Sequence, residues 1–125
     1  MASTLPDGWD CHVHVFDAGA PVLAGHYHPP SRPLDAIEAL AGAHGVGHLV
    51  LVQPSVYGTD NQVLLRALQQ STGRHRGVVV VDESVRGADL EVMHALGVRG
   101  VRFNLVSPVG NGLQAWPALV PLLRA

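Results

Sequence analysis

The 125-residue sequence predicts an α/β fold built on a parallel sheet. Three observations carry that prediction. Four strand-length apolar stretches rich in β-branched residues recur along the chain, at Trp9 to Phe16, His48 to Gln53, Gly77 to Asp82 and Arg99 to Leu105. Segments with helical spacing fill the gaps, so the order is β-α four times over. The runs Leu49-Val50-Leu51-Val52 and Val78-Val79-Val80-Val81 are continuous rather than alternating, which suits strands covered on both faces. A unit of roughly 30 residues is the size of a right-handed βαβ repeat.

After the first strand comes the longest irregular stretch, Asp17 to Arg32, punctuated by Gly19, Pro21, Gly25, Pro29 and Pro30. A long loop at such a place is more often functional than not. Pro33 suits the first position of a helix whose Leu34, Ile37, Leu40 and Ala41 share a face, with Gly45 able to end it in the left-handed conformation. Thr59 and Gln62 read as a Thr-x-x-Gln capping box opening a second helix through Val63, Leu64, Leu65 and Leu68. A third helix covers about Ala88 to Leu96, with Leu90, Met93 and Leu96 in step and Gly97 behind it. In the last segment, Leu113 to Ala125, Pro117 can open a helix that Pro121 weakens from inside. The closing Leu122-Leu123-Arg124-Ala125 carries no stop signal, so the pattern is expected to continue in relatives.

With 47% hydrophobic and 14% charged residues the chain can build a core, and residues 1–125 read as a single domain. The net charge of −2, without a Lys/Arg cluster, argues against nucleic acid or anionic lipid as partners. No run approaches the roughly 20 apolar residues of a membrane span. Met1 to Gly8 lacks the basic and apolar regions of a signal peptide, and the lone Cys11 cannot form an internal disulfide. Both point to a cytoplasmic protein.

Three clusters carry polar chemistry. Asp10, His12 and His14 alternate along the first strand and are expected to share a face, with Trp9, Cys11, Val13 and Val15 turned toward helices. Imidazoles at i and i+2 can share a metal or polarise one carbonyl group; the plainer alternative is two His on a partly exposed strand. Their place at a strand's C-terminal end favours function.

The second cluster, Gln53 to Asn61, lies between the second strand and its helix. Ser55, Tyr57, Thr59 and Asn61 offer hydroxyl and amide groups, and a helix N-terminus favours an anion. The alternative is a capped turn; Thr59 fits the cap, Ser55 a ligand contact. In the third cluster, Arg102 and Asn104 share a face of the fourth strand. A buried Arg needs a partner, either a substrate carboxylate held bidentately or an internal ion pair with Asp10 or Asp82. Tyr27 and His28 sit where they can close over a ligand. His26, His44, His48, His75 and His94 show no partner at a telling spacing and read as surface or core residues.

The ordered set "DCHVHVFD", "YHPP", "LVLVQPSVYGTDN", "RGVVVVD" and "VRGVRFN" resembles the amidohydrolase-related proteins that include the 2-pyrone-4,6-dicarboxylate lactonases. The likeness covers nearly the whole chain. It implies a distorted (β/α)8 barrel, of which about four βα units are present here, so the chain reads as half of a TIM-like barrel and as truncated. It implies a hydrolase that opens a lactone or cyclic ester of a carboxylic acid by attack of water. His12 and His14 match the catalytic first-strand pair, which polarises the carbonyl in the lactonases and holds zinc or a similar divalent ion in other members. Tyr27, Ser55, Tyr57, Thr59, Arg102 and Asn104 fall in the substrate-binding segments. The fourth strand carries neither Lys nor Glu at the metal-bridging place, which leans toward the branch without a metal cofactor.

The family's fifth-strand His and last-strand Asp have no counterpart, leaving Asp10 and Asp60 as the carboxylates to consider for the base. An alternative of another class is a non-catalytic half-barrel that binds a ligand or pairs as a homodimer through exposed sheet edges. A small doubly wound domain of flavodoxin type is disfavoured, because no phosphate loop follows the first strand.

Overall fold

The computed structural model describes residues 5–24, 27–105 and 113–125. Four strands, β1 (Gly8–Val13), β2 (Val46–Val52), β3 (Arg76–Val79) and β4 (Val98–Val101), form one sheet in chain order, every neighbouring pair parallel. Between and after them come α1 (Leu34–Gly42), α2 (Gln62–Gln70), α3 (Gly87–Leu96) and α4 (Trp116–Arg124), with short 3₁₀ turns at Ser55–Tyr57 and Leu113–Ala115. All C-terminal strand ends therefore lie at one rim. Among the described residues no helix is long and apolar enough to cross a membrane.

The core lies between the sheet and the helices. Leu49 and Leu51 of β2, Val79 and Val81 of the third unit, Leu64, Ala67 and Leu68 of α2 and Leu119 of α4 are its buried members. Gly77 makes the α2 contact close: a Cβ there stands 2.9 Å from Leu68 Cδ1. Burial alternates along most of β2, with His48 and Val50 only half-buried, and Val78 of β3 is likewise half-buried. Helices cover one face of the sheet, whereas the continuous apolar runs suggested cover on both. In a complete barrel the inner face is filled by side chains from the remaining strands.

β1 departs from strict alternation. Val13 and Val15 pack into the core as expected, but Cys11 is exposed, and Trp9 is 45% exposed and stacks on His48 at 4.7 Å. The pairing of β1 with β2 shifts register between Gly8 and Trp9 and again between Asp10 and Val13. Each shift resets which side chains face the helices. Beyond β1, Phe16 and Arg32 exchange backbone hydrogen bonds (3.1 and 2.8 Å) and close the base of the long loop.

Helix ends differ in detail from the sequence reading. Pro33 is the N-cap of α1 rather than its first residue, and Gly45 (φ 77°) makes the turn into β2 beyond the C-cap Ala43. α2 begins at Gln62 with Asn61 as N-cap, so the Thr59 capping box does not form. The amides of Gln53 and Asn61 capture the carbonyls of Gly58, Thr59 and Asp60, which holds this stretch as a turn. α4 runs across Pro121, anchored by the fully buried Leu119. Gly97 ends α3 in the left-handed conformation (φ 112°).

The opposite rim is closed by an ion-paired cluster. Glu38 Oε2 of α1 lies 2.8 Å from both Arg74 Nη1 and His75 Nε2. The buried His75 accepts the Leu49 N–H at Nδ1 (3.0 Å), so its Nε2 carries the proton toward Glu38. Arg74 Nε donates to Gly47 O (2.9 Å), and its own carbonyl accepts from His48 Nδ1 (2.8 Å). The sequence reading gave His75 no partner; the partners come from distant elements that spacing does not reveal.

Candidate active site

Three segments meet at the C-terminal rim. His14 follows the last residue of β1, and its Nδ1 lies 2.8 Å from the carbonyl of Val52 at the end of β2. A carbonyl only accepts, so Nδ1 carries the proton and Nε2 keeps its lone pair. Burial pushes the His14 ring below the ordinary imidazole value of 6.5; the Val52 bond opposes this, and the charges of His12 and Arg102 add to it. His14 is thus neutral at pH 7. The exposed His12 ring stands edge-on to it, with centroids 5.1 Å apart.

Arg102, just past β4, donates from Nη1 to Gln53 O at 2.7 Å, reaching across β3 to the carbonyl next in sequence to the one that holds His14. Its backbone N–H bonds Val79 O (2.8 Å). Asn104 Nδ2 donates to Ser55 Oγ at 2.8 Å, tying the same two segments further out. His12, His14, Ser55, Arg102 and Asn104 therefore gather at one rim.

The alternative of an internal ion pair for Arg102 does not form among the described residues. Among the described residues the ion pairs join Arg66 with Asp17, Glu38 with Arg74 and His75, and Arg86 with Asp89. Asp82 is turned to Ser84, and Asp10 Oδ1 folds back on the His12 N–H (3.1 Å). Asp60 Oδ1 accepts from Gln62 N (3.2 Å). Both carboxylates considered for the base thus accept from a backbone N–H two residues on, Asp10 within β1 and Asp60 in the turn before α2.

Three other candidates sit differently. Tyr57 is 4% exposed, and its hydroxyl both donates to Asp17 O and accepts from Asp17 N, each at 3.1 Å. It struts the loop after β1 instead of offering its hydroxyl to a ligand. Thr59 is exposed on the turn and does not cap α2, whose N-cap is Asn61. Tyr27 is 65% exposed in the loop after β1. Asn61, expected to face a ligand, extends the sheet: its side chain donates to Val80 O (2.9 Å) and accepts from Val80 N (3.1 Å). Gln53, which heads the second cluster but was given no role by the sequence, is fully buried at the centre of these contacts.

His12 and His14 offer two imidazole donors. Among the described residues no group of three or more His, Cys, Asp or Glu side chains is placed to hold a metal ion, so these residues fall short of a metal site by themselves.

Four parallel βα units with polar groups gathered at the strand C-termini define an α/β protein of the (β/α)-barrel type. The chain belongs to the amidohydrolase family, whose model matches residues 9–123. It is 39% identical over 108 residues to the 2-pyrone-4,6-dicarboxylate hydrolase of Comamonas testosteroni, covering 82% of this chain and 35% of that protein. It is 35% identical over 116 residues to the 4-sulfomuconolactone hydrolase of Rhizobium radiobacter, covering 90% and 39%. Among solved structures, a Pseudomonas putida protein assigned as a 2-pyrone-4,6-dicarboxylic acid hydrolase superposes with TM-score 0.84 at 38% identity, over 97% of this chain and 45% of that one. An Acinetobacter baumannii protein given the same assignment, with citric acid bound, gives 0.78 at 32% identity, over 94% and 44%. The chain thus spans 35–45% of the length of these relatives.

Proposed function

We propose that residues 1–125 form one partial barrel domain carrying the carboxylate-binding part of a lactone hydrolase site. The observation that carries this reading is Arg102: a guanidinium held at the rim by a carbonyl, with no carboxylate in ion-pair range among the described residues, beside the neutral His14. A half-buried guanidinium in that state is complementary to a substrate carboxylate. The named relatives act on, or are assigned to, lactones bearing acidic groups, and one neighbour holds citric acid.

In this reading Arg102 binds a ring carboxylate of a small cyclic ester, and Ser55, oriented by Asn104, adds a hydroxyl contact. His14 and His12 face the ester carbonyl. Water adds to that carbon, the ring C–O bond breaks, and a carboxylate and a hydroxyl group result. The Nδ1–H tautomer of His14 aims a lone pair, not a proton, at the reacting groups, so in its neutral form it accepts a proton there. Polarising the carbonyl by donation falls to His12 or to residues beyond these four units.

The test is calorimetric binding of 2-pyrone-4,6-dicarboxylate to this chain and to Arg102→Ala, followed by a turnover assay with and without added zinc and a separately supplied C-terminal half-barrel. Binding that depends on Arg102 supports the proposal. Equal binding by both proteins, or none by either, overturns it.

A second reading, a half-barrel that binds without catalysis or pairs with another copy, draws on two observations. Neither Asp10 nor Asp60 is placed as a base, and β1 and β4 are the edges of the described sheet. A dimer in sedimentation together with ligand binding but no turnover in any combination favours it.

A further inference from the structure

The rim is held together by a residue that contacts no ligand-facing group through its own side chain. Gln53 is the first residue past β2 and is completely buried. Its side-chain Nε2 donates to two backbone carbonyls of the following turn, Gly58 O at 3.1 Å and Asp60 O at 2.7 Å. Its backbone N–H donates to Val78 O at 2.9 Å, and its backbone carbonyl accepts Arg102 Nη1 at 2.7 Å. The turn that it closes carries Ser55, which accepts from Asn104. Gln53 Oε1 is buried without a hydrogen-bond partner among the described residues. A buried amide oxygen left unpaired is unfavourable, and the two bonds of the NH2 group work against that cost.

We propose that Gln53 is a positioning residue for the site: its amide fixes the Ser55 turn relative to its own carbonyl, and so sets the spacing between Arg102 and the Ser55–Asn104 pair. This rests on the reading that Arg102 binds carboxylate only for its effect on affinity, not for the geometry. The physical argument is one of leverage. Pro54 removes a backbone donor directly after Gln53, and Gly58 adopts a positive φ of 55°. The turn's own backbone bonds, Tyr57 N to Pro54 O, Gly58 N to Ser55 O and Asp60 N to Tyr57 O, are local and do not tie it to the end of β2. The two donors of the buried Gln53 side chain supply that tie, through the carbonyls of Gly58 and Asp60. Both side-chain contacts across the rim, Arg102 to Gln53 and Asn104 to Ser55, then depend on the same short segment.

The test compares Gln53→Met with Glu38→Gln. Met matches the length of Gln but lacks its donors; Glu38 lies at the far rim in the Arg74–His75 cluster, so its variant controls for loss of stability alone. The first readout needs no ligand: NMR exchange rates of the Asn104 side-chain amide and the Arg102 guanidinium protons. The expected result is at least a tenfold faster exchange of both in Gln53→Met and little change in Glu38→Gln at equal melting temperature, reached by adjusting urea. Unchanged exchange in Gln53→Met, or equal acceleration in both variants, overturns the proposal. The second readout is affinity for 2-pyrone-4,6-dicarboxylate, expected to fall about tenfold in Gln53→Met alone. If wild type does not bind this probe, the lactone reading fails while the exchange rates still decide the role of Gln53. Should Gln53→Met not fold, Gln53→Asn is measured in its place. It keeps a buried amide but is one methylene too short to reach Gly58 O and Asp60 O together; the same exchange criterion applies.

Discussion

His14 and Arg102, carried by the first and last strands of the sheet, are held by the carbonyl oxygens of two consecutive residues, Val52 and Gln53. One strand end thus fixes a neutral imidazole and a guanidinium at once. Since successive peptide carbonyls in an extended strand point opposite ways, the end of β2 can serve a neighbour on each side. The arrangement gives the rim its chemistry without any contact between the two side chains being required.

The first prediction concerns the guanidinium. Arg102→Lys keeps the charge but loses the fork that bonds Gln53 O and a carboxylate together. Affinity for a dicarboxylate lactone should fall about tenfold, or about 1.4 kcal/mol. Arg102→Ala should fall further, by about 100-fold, because a charge-assisted hydrogen bond contributes about 1.5–3 kcal/mol. Isothermal calorimetry measures both. A lysine variant that binds as tightly as wild type would show that the fork is unimportant.

The second concerns the proton on His14. Val52 O fixes it on Nδ1. Nitrogen-15 NMR of the ring at pH 7.5 should show a protonated Nδ1 and an unprotonated Nε2. The opposite pattern would mean that the ring donates at the rim, and the acceptor role argued above would fall.

Much of this was legible in the sequence, and what was not has a common cause. The order of the elements follows from apolar runs and glycine punctuation, and Gly97 marks the end of α3 as its position suggests. His12, His14, Ser55, Arg102 and Asn104 could be placed at one rim because each lies where a strand ends, and parallel strands end together. Trp9 was misplaced because a register shift is invisible to an alternation rule. Tyr57, Thr59 and Asn61 looked like ligand contacts because their polar groups suit that role. The structure gives Tyr57 to Asp17 and Asn61 to Val80, backbone partners in other segments. Gln53 stood at the head of the second cluster without a role because a Gln at a strand end has no signature; its importance lies in which carbonyls surround it. His75 likewise depends on Glu38 of α1 and Leu49 of β2.

The third prediction tests the turn between α3 and β4. Gly97 has φ 112°, and a Cβ there stands 2.9 Å from the carbonyl oxygen of His75. Gly97→Ala therefore meets both a disfavoured backbone conformation and a backbone atom that cannot move aside cheaply. A loss of about 2 kcal/mol or more in urea unfolding is expected, the conformation alone contributing about 1–2 kcal/mol. Gly45→Ala also has a positive φ (77°) but open space around its Cβ, so it should lose less. Equal losses for the two would mean that the His75 contact adds nothing.

The last prediction is a pH dependence of stability. His75 is held below its ordinary value of 6.5 by burial, against the raising effect of Glu38, and His14 is likewise held below 6.5 by burial. In the unfolded chain both rings take up protons near pH 6.5; in the folded chain they do so only at lower pH. Between those values the unfolded state binds more protons, so stability rises with pH. The contribution is fully present above about pH 6.5 and is lost as pH falls through the folded values. The geometry agrees for His75: Nδ1 already accepts the Leu49 N–H, and a second proton there breaks that bond. Melting temperature should be level from pH 8 to 7 and drop on acidification toward pH 5. In His75→Asn, whose side-chain oxygen can still accept from Leu49, the overall stability should be lower but the acid slope shallower. A slope that stays as steep in His75→Asn as in wild type would remove His75 from the explanation and leave His14 as the ring whose protonation the fold resists.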